Sequence, residues 1–321
     1  MKTRKKIIVI LVVISFLVVS LFFADSRLGE RVLYRLGFQE QICFSNFDSS
    51  SELRYMKNIA IASDFGINQN SKNTLNNIQL AKPEIILFPG DLGQSNADEW
   101  KNLTRSMDLT NVYVTLGDAE ENEFRDEFLE YHNLTNNYYS FDYENIHILA
   151  ISTEMREDMS KDEIQMDFIK NDLEIAAKNS DTDWIIVFMH HPMYSSRDSG
   201  SYLSLRNELQ PIFDNFQVDL VLSGHKHAYE RTNSLMFDSK IIGEEKCEYE
   251  KSNGQIYVTV GTGGHSHSVF EKKEPWSIIQ NDNDYGFLNL VFSEDDRTLY
   301  GEFVSNTGKT VDAFRIINNF E

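Results

Sequence analysis

The sequence predicts an α/β fold, and three observations carry that prediction. Short apolar, β-branched runs recur along the chain, and segments with helically spaced apolar residues separate several of them. The C-terminal part instead reads as strand, acidic turn, strand, Gly-containing turn and strand, over YGFLNLVFSEDDRTLYGEFVSNTGKTVDAFRI. An antiparallel edge or a second sheet is expected there.

In chain order, the opening MKTRKK is basic, and the eighteen residues Ile7 to Ala24 carry no charge. This pattern fits an export signal or a single membrane span. Phe22 stands where cleavage after Ala24 would want a small residue, although Val18 and Ser20 offer a weaker site. An uncleaved anchor (residues 1–24) is therefore the expectation, with its basic end in the cytoplasm and the body outside the membrane. Cleavage would instead give a secreted protein. Residues 25–55 read as a mixed connector. No internal repeat and no long Gly/Ser- or Pro-rich linker divides the remainder, so residues 56–321 are expected to form one catalytic-sized domain.

The strand-like runs are NIAIASD (58–64), EIILFPGD (84–91), NVYVTLGDAE (111–120), NIHILAIST (145–153), DWIIVFMHH (183–191), DLVLSGHKH (219–227) and QIYVTVGTGGHSH (255–267). Their continuity suits strands covered on both faces. KNTLNNIQLAK (72–82), ENEFRDEFLEYHN (121–133) and KDEIQMDFIKNDLEIAAKN (161–179) have helical spacing.

The net charge is −20, and setting aside Lys2, Arg4, Lys5 and Lys6 leaves −24 for residues 25–321. So acidic a body argues against nucleic acid as a partner. An anionic substrate would need strong local positive charge. Cys43 and Cys247 are the only cysteines and form either one disulfide or two buried thiols. Asn102 and Asn133 lie in N-x-T sequons. The oligomeric state is not legible.

Nearly every strand-like run ends in a carboxylate or an imidazole: Asp64, Asp91, Asp118, His190 with His191, His225 with His227, and His265 with His267. Strand carboxyl ends are where open α/β sheets build sites. Three carboxylates converging there would repel by about 4 kcal/mol per pair at 4 Å and an effective dielectric near 20. A bound cation cluster removes that penalty. Oxygen and imidazole ligands without thiolate point to Zn, Mn or Fe, and an aspartate shared by two ions would make the centre binuclear. Gly224 is expected to let the chain turn before His225 and His227. In an extended segment His191 would point away from His190. Lone histidines such as His132 and His147 read as surface or satisfied core residues.

These residues carry a resemblance. Asp64-Phe-Gly66 is similar to DxG, GDLGQ (90–94) to GDxxY, GDAE (117–120) to GNHE, VFMH (187–190) to VxxH, and GHKHAYER (224–231) to GHxHxYER. From about Asn58 to Ile317 the chain resembles the calcineurin-like metallophosphoesterases, and among them the purple acid phosphatases. The resemblance implies two β-sheets sandwiched between helices, a four-layer αββα arrangement. It implies two divalent metal ions, Fe, Zn or Mn, with Asp64, Asp91 and His227 at one and Asp91, Asp118, His190 and His225 at the other. It further implies hydrolysis of small phosphate esters, monoesters first and diesters second, by attack of a metal-bound hydroxide.

The chain departs from the family at three points. Gln94 replaces the tyrosine ligand, so no purple colour is expected, and its amide oxygen is a candidate ligand in the tyrosine's place. Asp118 replaces an asparagine ligand. Ala119 replaces the histidine that contacts phosphate and assists the leaving group, with His191, His265 and His267 as candidate substitutes. Good leaving groups are expected to survive that loss better than alkyl groups. The alternative is a family member that binds metal or phosphate at the cell surface without turnover. Tyr229, Glu230 and Arg231 are expected to brace the metal loop.

Overall fold

Strand β1 (Asn58–Ile61) turns Ile59 and Ile61 to one side and Ala60 to the other, and all three are fully buried. The computed structural model describes residues 57–319 except 94–95, 121–123, 155, 198–199, 244–246 and 252–253. β2 (Ile85–Pro89) and β3 (Val112–Thr115) extend β1 in parallel. Helices α1 (Gln69–Ala81), α2 (Ala97–Thr104) and α3 (Arg125–Tyr131) cover the outer face through Leu75, Ile78, Trp100 and Phe128.

The second sheet begins with β4 (Tyr139–Tyr143) antiparallel to β5 (Ile146–Ile151). β6 (Trp184–Met189) and β7 (Leu220–Ser223) continue in parallel with β5. Helices α4 (Glu163–Lys178) and α5 (Leu203–Phe216) cover its outer face through Ile169, Leu173, Leu205 and Phe213. β8 (Tyr229–Met236) bears the short β9 (Lys240–Ile241), while β10 (Glu248–Glu250) crosses to the first sheet. β11 (Gln255–Val260) slots between β7 and β8, and β12 (Ser277–Asn281) forms the edge beyond β8.

β13 (Gly286–Phe292), β14 (Thr298–Ser305) and β15 (Thr310–Ile317) are the expected C-terminal meander. They do not build a sheet of their own, because β13 pairs antiparallel with β1 and completes the first sheet. The two sheets face each other across a core containing Ile59, Ile61 and Leu87 from one and Ile148, Ile186, Phe188 and Leu222 from the other. With helices outside both sheets, the four-layer αββα arrangement is observed.

Polar contacts also join the two sheets. Arg231 of β8 donates to both oxygens of Asp312 of β15, Nε to Oδ2 at 2.6 Å and Nη2 to Oδ1 at 2.8 Å, and Tyr229 donates to Oδ2 at 2.7 Å. Burying a guanidinium is tolerable only with such a partner.

The expected anchor and connector lie outside the described residues, as does Gln94. Among the described residues no helix is long and apolar enough to cross a membrane. Cys247 is disulfide-bonded, and Cys43, the only other cysteine in the sequence, also lies outside the described residues. His132 and His147 are satisfied: Trp100 Nε1 donates to His132 Nε2 at 3.0 Å, and His147 sits between Asp142 and Asp172 at 2.7 and 2.8 Å.

Candidate metal centre

The parallel strands of both sheets point their carboxyl ends at one crest. β1 delivers Asp64, β2 Asp91 and β3 Asp118 from the first sheet, while β6 delivers His190 and His191 and β7 delivers His225 and His227 from the second. Four of these residues hold left-handed backbone conformations: Asp64, Asp91, His225 and His227 have φ of 61°, 51°, 70° and 41°. Non-glycine residues in that region are held there by their surroundings, at a cost of roughly 1–3 kcal/mol each. Gly224 also clears space for the site: a Cβ there would press on Ser63 Oγ and stand 2.7 Å from Asp64 Oδ2.

Asp118 Oδ1 is the focus of three imidazoles. His190 Nε2 lies 2.8 Å from it, His225 Nδ1 3.0 Å and His191 Nε2 3.6 Å. Burial alone would lower the His190 pKa, but Asp91, Asp118 and Asp64 outweigh it and raise the group to about 10. Burial, His190, His225 and Arg156 together depress the basicity of His191 strongly, so it stays neutral.

A second group combines Asp64, Asp91 and His227, with ligand atoms within 4.8 Å of one another. Asp64 Oδ2 accepts from Ser63 Oγ at 2.5 Å and from the His225 amide at 2.8 Å. Its Oδ1 is buried without a hydrogen-bond partner and faces His227 Nε2 at 3.4 Å. Burial and then Asp91 push the Asp64 pKa up to about 6. Asp91 Oδ1 also lies 3.4 Å from His190 Nε2, so this carboxylate stands between the two groups. Fully buried Glu120 fastens the Asp91 loop by accepting from the amides of Asp91, Leu92 and Gly117 at 2.9, 2.8 and 2.9 Å.

The residues fit a pair of cations. An orphaned carboxylate oxygen in one group and an orphaned His191 nitrogen in the other are both buried, and either defect is relieved by a positive ion. A donor set of imidazole and carboxylate suits Zn, Fe or Mn.

The candidate substitutes for the histidine absent at Ala119 separate. His191 turns into the site, contrary to the strand-alternation expectation, because β6 ends at Met189 and the period-two rule lapses there. His265 and His267 stand on the outer side of His227: His265 Nδ1 is 3.1 Å from His227 Nδ1, the nitrogen not facing Asp64, and His267 Nδ1 is 3.3 Å from the His227 carbonyl while its ring stacks on Tyr285. Ala119 itself supplies its amide to Asp91 Oδ1 at 3.1 Å.

Sequence reading missed several neighbours. The Tyr202 hydroxyl is 2.9 Å from His225 Nε2, and Lys226 Nζ lies 5.0 Å from the Tyr202 ring centroid. Arg197 Nη1 donates to the Lys226 carbonyl at 2.7 Å, and Arg156 acts on both Tyr202 and His191. Burial and Arg197 lower the Lys226 pKa to about 8. The lysine between the two histidines of GHKH was a visible cue. Tyr202, twelve residues past His190 in a Ser/Gly-rich loop, left none.

Residues 57–229 match the family model described as calcineurin-like phosphoesterase, and residues 254–313 match that of the iron/zinc purple acid phosphatase-like protein C. Purple acid phosphatase 18 of Arabidopsis thaliana is 28% identical over 261 residues, covering 73% of this chain and 57% of that protein. Nucleotide pyrophosphatase/phosphodiesterase of Hordeum vulgare is 34% identical over 146 residues, 43% of this chain and 39% of its own. Probable inactive purple acid phosphatase 24 of Arabidopsis thaliana is 32% identical over 165 residues, 49% of this chain and 26% of its own. The chain therefore spans less than two thirds of each of these relatives. Among solved structures, purple acid phosphatase PPD1 from yellow lupin (Lupinus luteus) seeds superposes with a TM-score of 0.71 at 24% identity, over 83% of this chain and 54% of that one. GAP50, the anchor in the inner membrane complex of Plasmodium, gives 0.65 at 20% identity, over 83% and 90%. At such identities both likenesses speak to the fold.

Proposed function

The chain belongs to the calcineurin-like phosphoesterase family, and from that premise we propose that it hydrolyses small phosphate esters with two divalent metal ions. Phosphate monoesters are the leading substrate class, with diesters the second to test. The observation that carries the reading is the convergence of Asp64, Asp91 and His227 beside Asp118, His190, His191 and His225 at one crest. Asp91 is the bridging candidate. When bound, the ions supply Lewis acidity toward phosphoryl oxygens and an activated water.

The chain's own residues then have separable tasks. Asp64 and Asp118 balance the ions' charge, and the amide of Ala119 fixes one oxygen of Asp91. Arg156, Arg197 and Lys226 give the His-rich side the local positive charge that a phosphate ester requires in a chain of net charge −20. The placement of this domain outside a membrane rests on the apolar run Ile7 to Ala24 and stays part of the proposal.

Ala119 favours a second reading, metal binding without turnover. Assays of the protein with Mn, Zn or Fe(II) on an aryl phosphate and an aryl diester separate the two. The enzyme reading expects metal-dependent turnover that Asp91→Asn and His225→Ala abolish. Tight metal uptake with no turnover across the ester panel would replace it with the binding reading.

A further inference from the structure

We propose that His191 is a third imidazole ligand of the His-rich cation site, which gives that site three imidazoles and Asp118, with Asp91 shared with the other site. The inference rests on the metal-binding part of the reading above and adds a ligand to it. The family resemblance carries ligands onto Asp91, Asp118, His190 and His225 and gives the residue after His190 no role.

Three observations support the assignment. First, His191 is 1% exposed, yet its Nε2 has no hydrogen-bond partner and points at the oxygen on which His190 and His225 converge. A buried imidazole nitrogen left without a partner in a polar cluster is what an absent ion explains. Secondly, the rings are gathered around that point, with the His191 centroid 4.7 Å from His190 and 4.4 Å from His225.

Thirdly, all three imidazoles are held from outside through the nitrogen that faces away. His190 Nδ1 donates to the Pro89 carbonyl at 2.9 Å, His191 Nδ1 lies 2.7 Å from Thr153 Oγ1, and His225 Nε2 lies 2.9 Å from the Tyr202 hydroxyl. Thr153 Oγ1 also accepts the His191 amide at 3.3 Å, so both ends of the residue are tied to one hydroxyl. An outer hydrogen bond that fixes tautomer and ring angle is how metal-ligating histidines are presented. His191 is presented in the same way as its two neighbours.

Composition then sorts the two sites. Imidazole-rich sets suit Zn or Fe, whereas the carboxylate-rich Asp64, Asp91 and His227 set better accepts Mn or Mg.

The test is zinc binding to metal-free protein by competition with a chromophoric chelator, together with X-ray absorption at the zinc edge in a His227→Ala background that weakens the other group. Expected for His191→Ala is an affinity loss of at least ~10–100-fold at one site and an imidazole count falling from three to two. Thr153→Val, which keeps the shape and removes the hydroxyl, is expected to weaken the same site by ~10–100-fold. Should His191→Ala fail to fold by circular dichroism, Thr153→Val carries the test alone. Unchanged affinity and an unchanged count overturn the assignment and leave the two-ion reading standing. Failure of the unaltered protein to take up zinc overturns both.

Discussion

At position 119 a single methyl group stands where the family resemblance places a proton-handling histidine. A positioned acid or base contributes ~10²–10⁴-fold, and its absence matters most when the leaving group is a poor one. Ala119→His is therefore expected to raise turnover of an alkyl phosphate by ~10²-fold or more and to change an aryl phosphate much less. Steady-state rates on the two esters check this, and an equal gain on both would remove leaving-group assistance as the explanation. Asp64, Asp91, Asp118, His190, His225 and His227 were legible in the sequence because each follows an apolar run, and strand ends are fixed by the pattern itself. His191 carried two readings, a candidate in the site and, by strand alternation, a residue turned away, and the alternation does not apply because β6 ends two residues before it. Thr153 and Tyr202 could not be found at all, because their partners lie 38 and 23 residues away and only the folded crest brings them together.

Among the elements, the strands buried on both faces were plain from their continuous apolar runs, whereas β8 was not. It holds Glu230, Arg231, Thr232, Asn233 and Ser234 buried, a polar composition that hides a strand until their partners are known. Of the three residues expected to brace the metal loop, Glu230 reaches the loop after β6, accepting from the Ser196 amide at 2.9 Å and also from Ser277 Oγ at 2.7 Å, while Tyr229 and Arg231 turn instead to Asp312 in the core. Helix α5 was concealed by Pro211 in its interior, which normally argues against a helix. At the junction of β4, β5 and α4, His147 joins the carboxylates of Asp142 and Asp172. Burial alone would lower its pKa, but Asp172 and Asp142 outweigh burial and raise it. A histidine whose folded pKa exceeds the unfolded value contributes stability that is complete below the unfolded pKa, about 6.5, and lost as pH rises through the folded one. The unfolding free-energy gap between the native chain and His147→Gln is thus expected to be largest in mild acid and to shrink in alkali. Denaturant titrations across pH measure it, and a gap that grows with pH contradicts the ion-pair account.

Over the whole molecule, the division of ligands between sheets has a consequence for stability. The first sheet contributes only carboxylates, Asp64, Asp91 and Asp118, and the second only imidazoles, His190, His191, His225 and His227. Each proposed site draws on both, so bound ions join the sheets at the crest, while Arg231 with Asp312 joins them through the core. Without ions, the crest keeps left-handed aspartates and histidines together with orphaned polar atoms, all of which favour opening. Ligands that bind only the folded state stabilise it by about 2.7 kcal/mol at a hundredfold excess over Kd and 4.1 at a thousandfold. Chelation is therefore expected to lower the thermal midpoint of the protein by several degrees, and zinc is expected to restore it. The same comparison by hydrogen exchange should show the loss of protection beginning at the loops after β1, β2, β6 and β7, on both sheets together. If only one sheet loosens, or if chelator leaves the midpoint unmoved while metal is shown to leave, the ions do not bridge the sheets, and the crest is held by protein contacts alone.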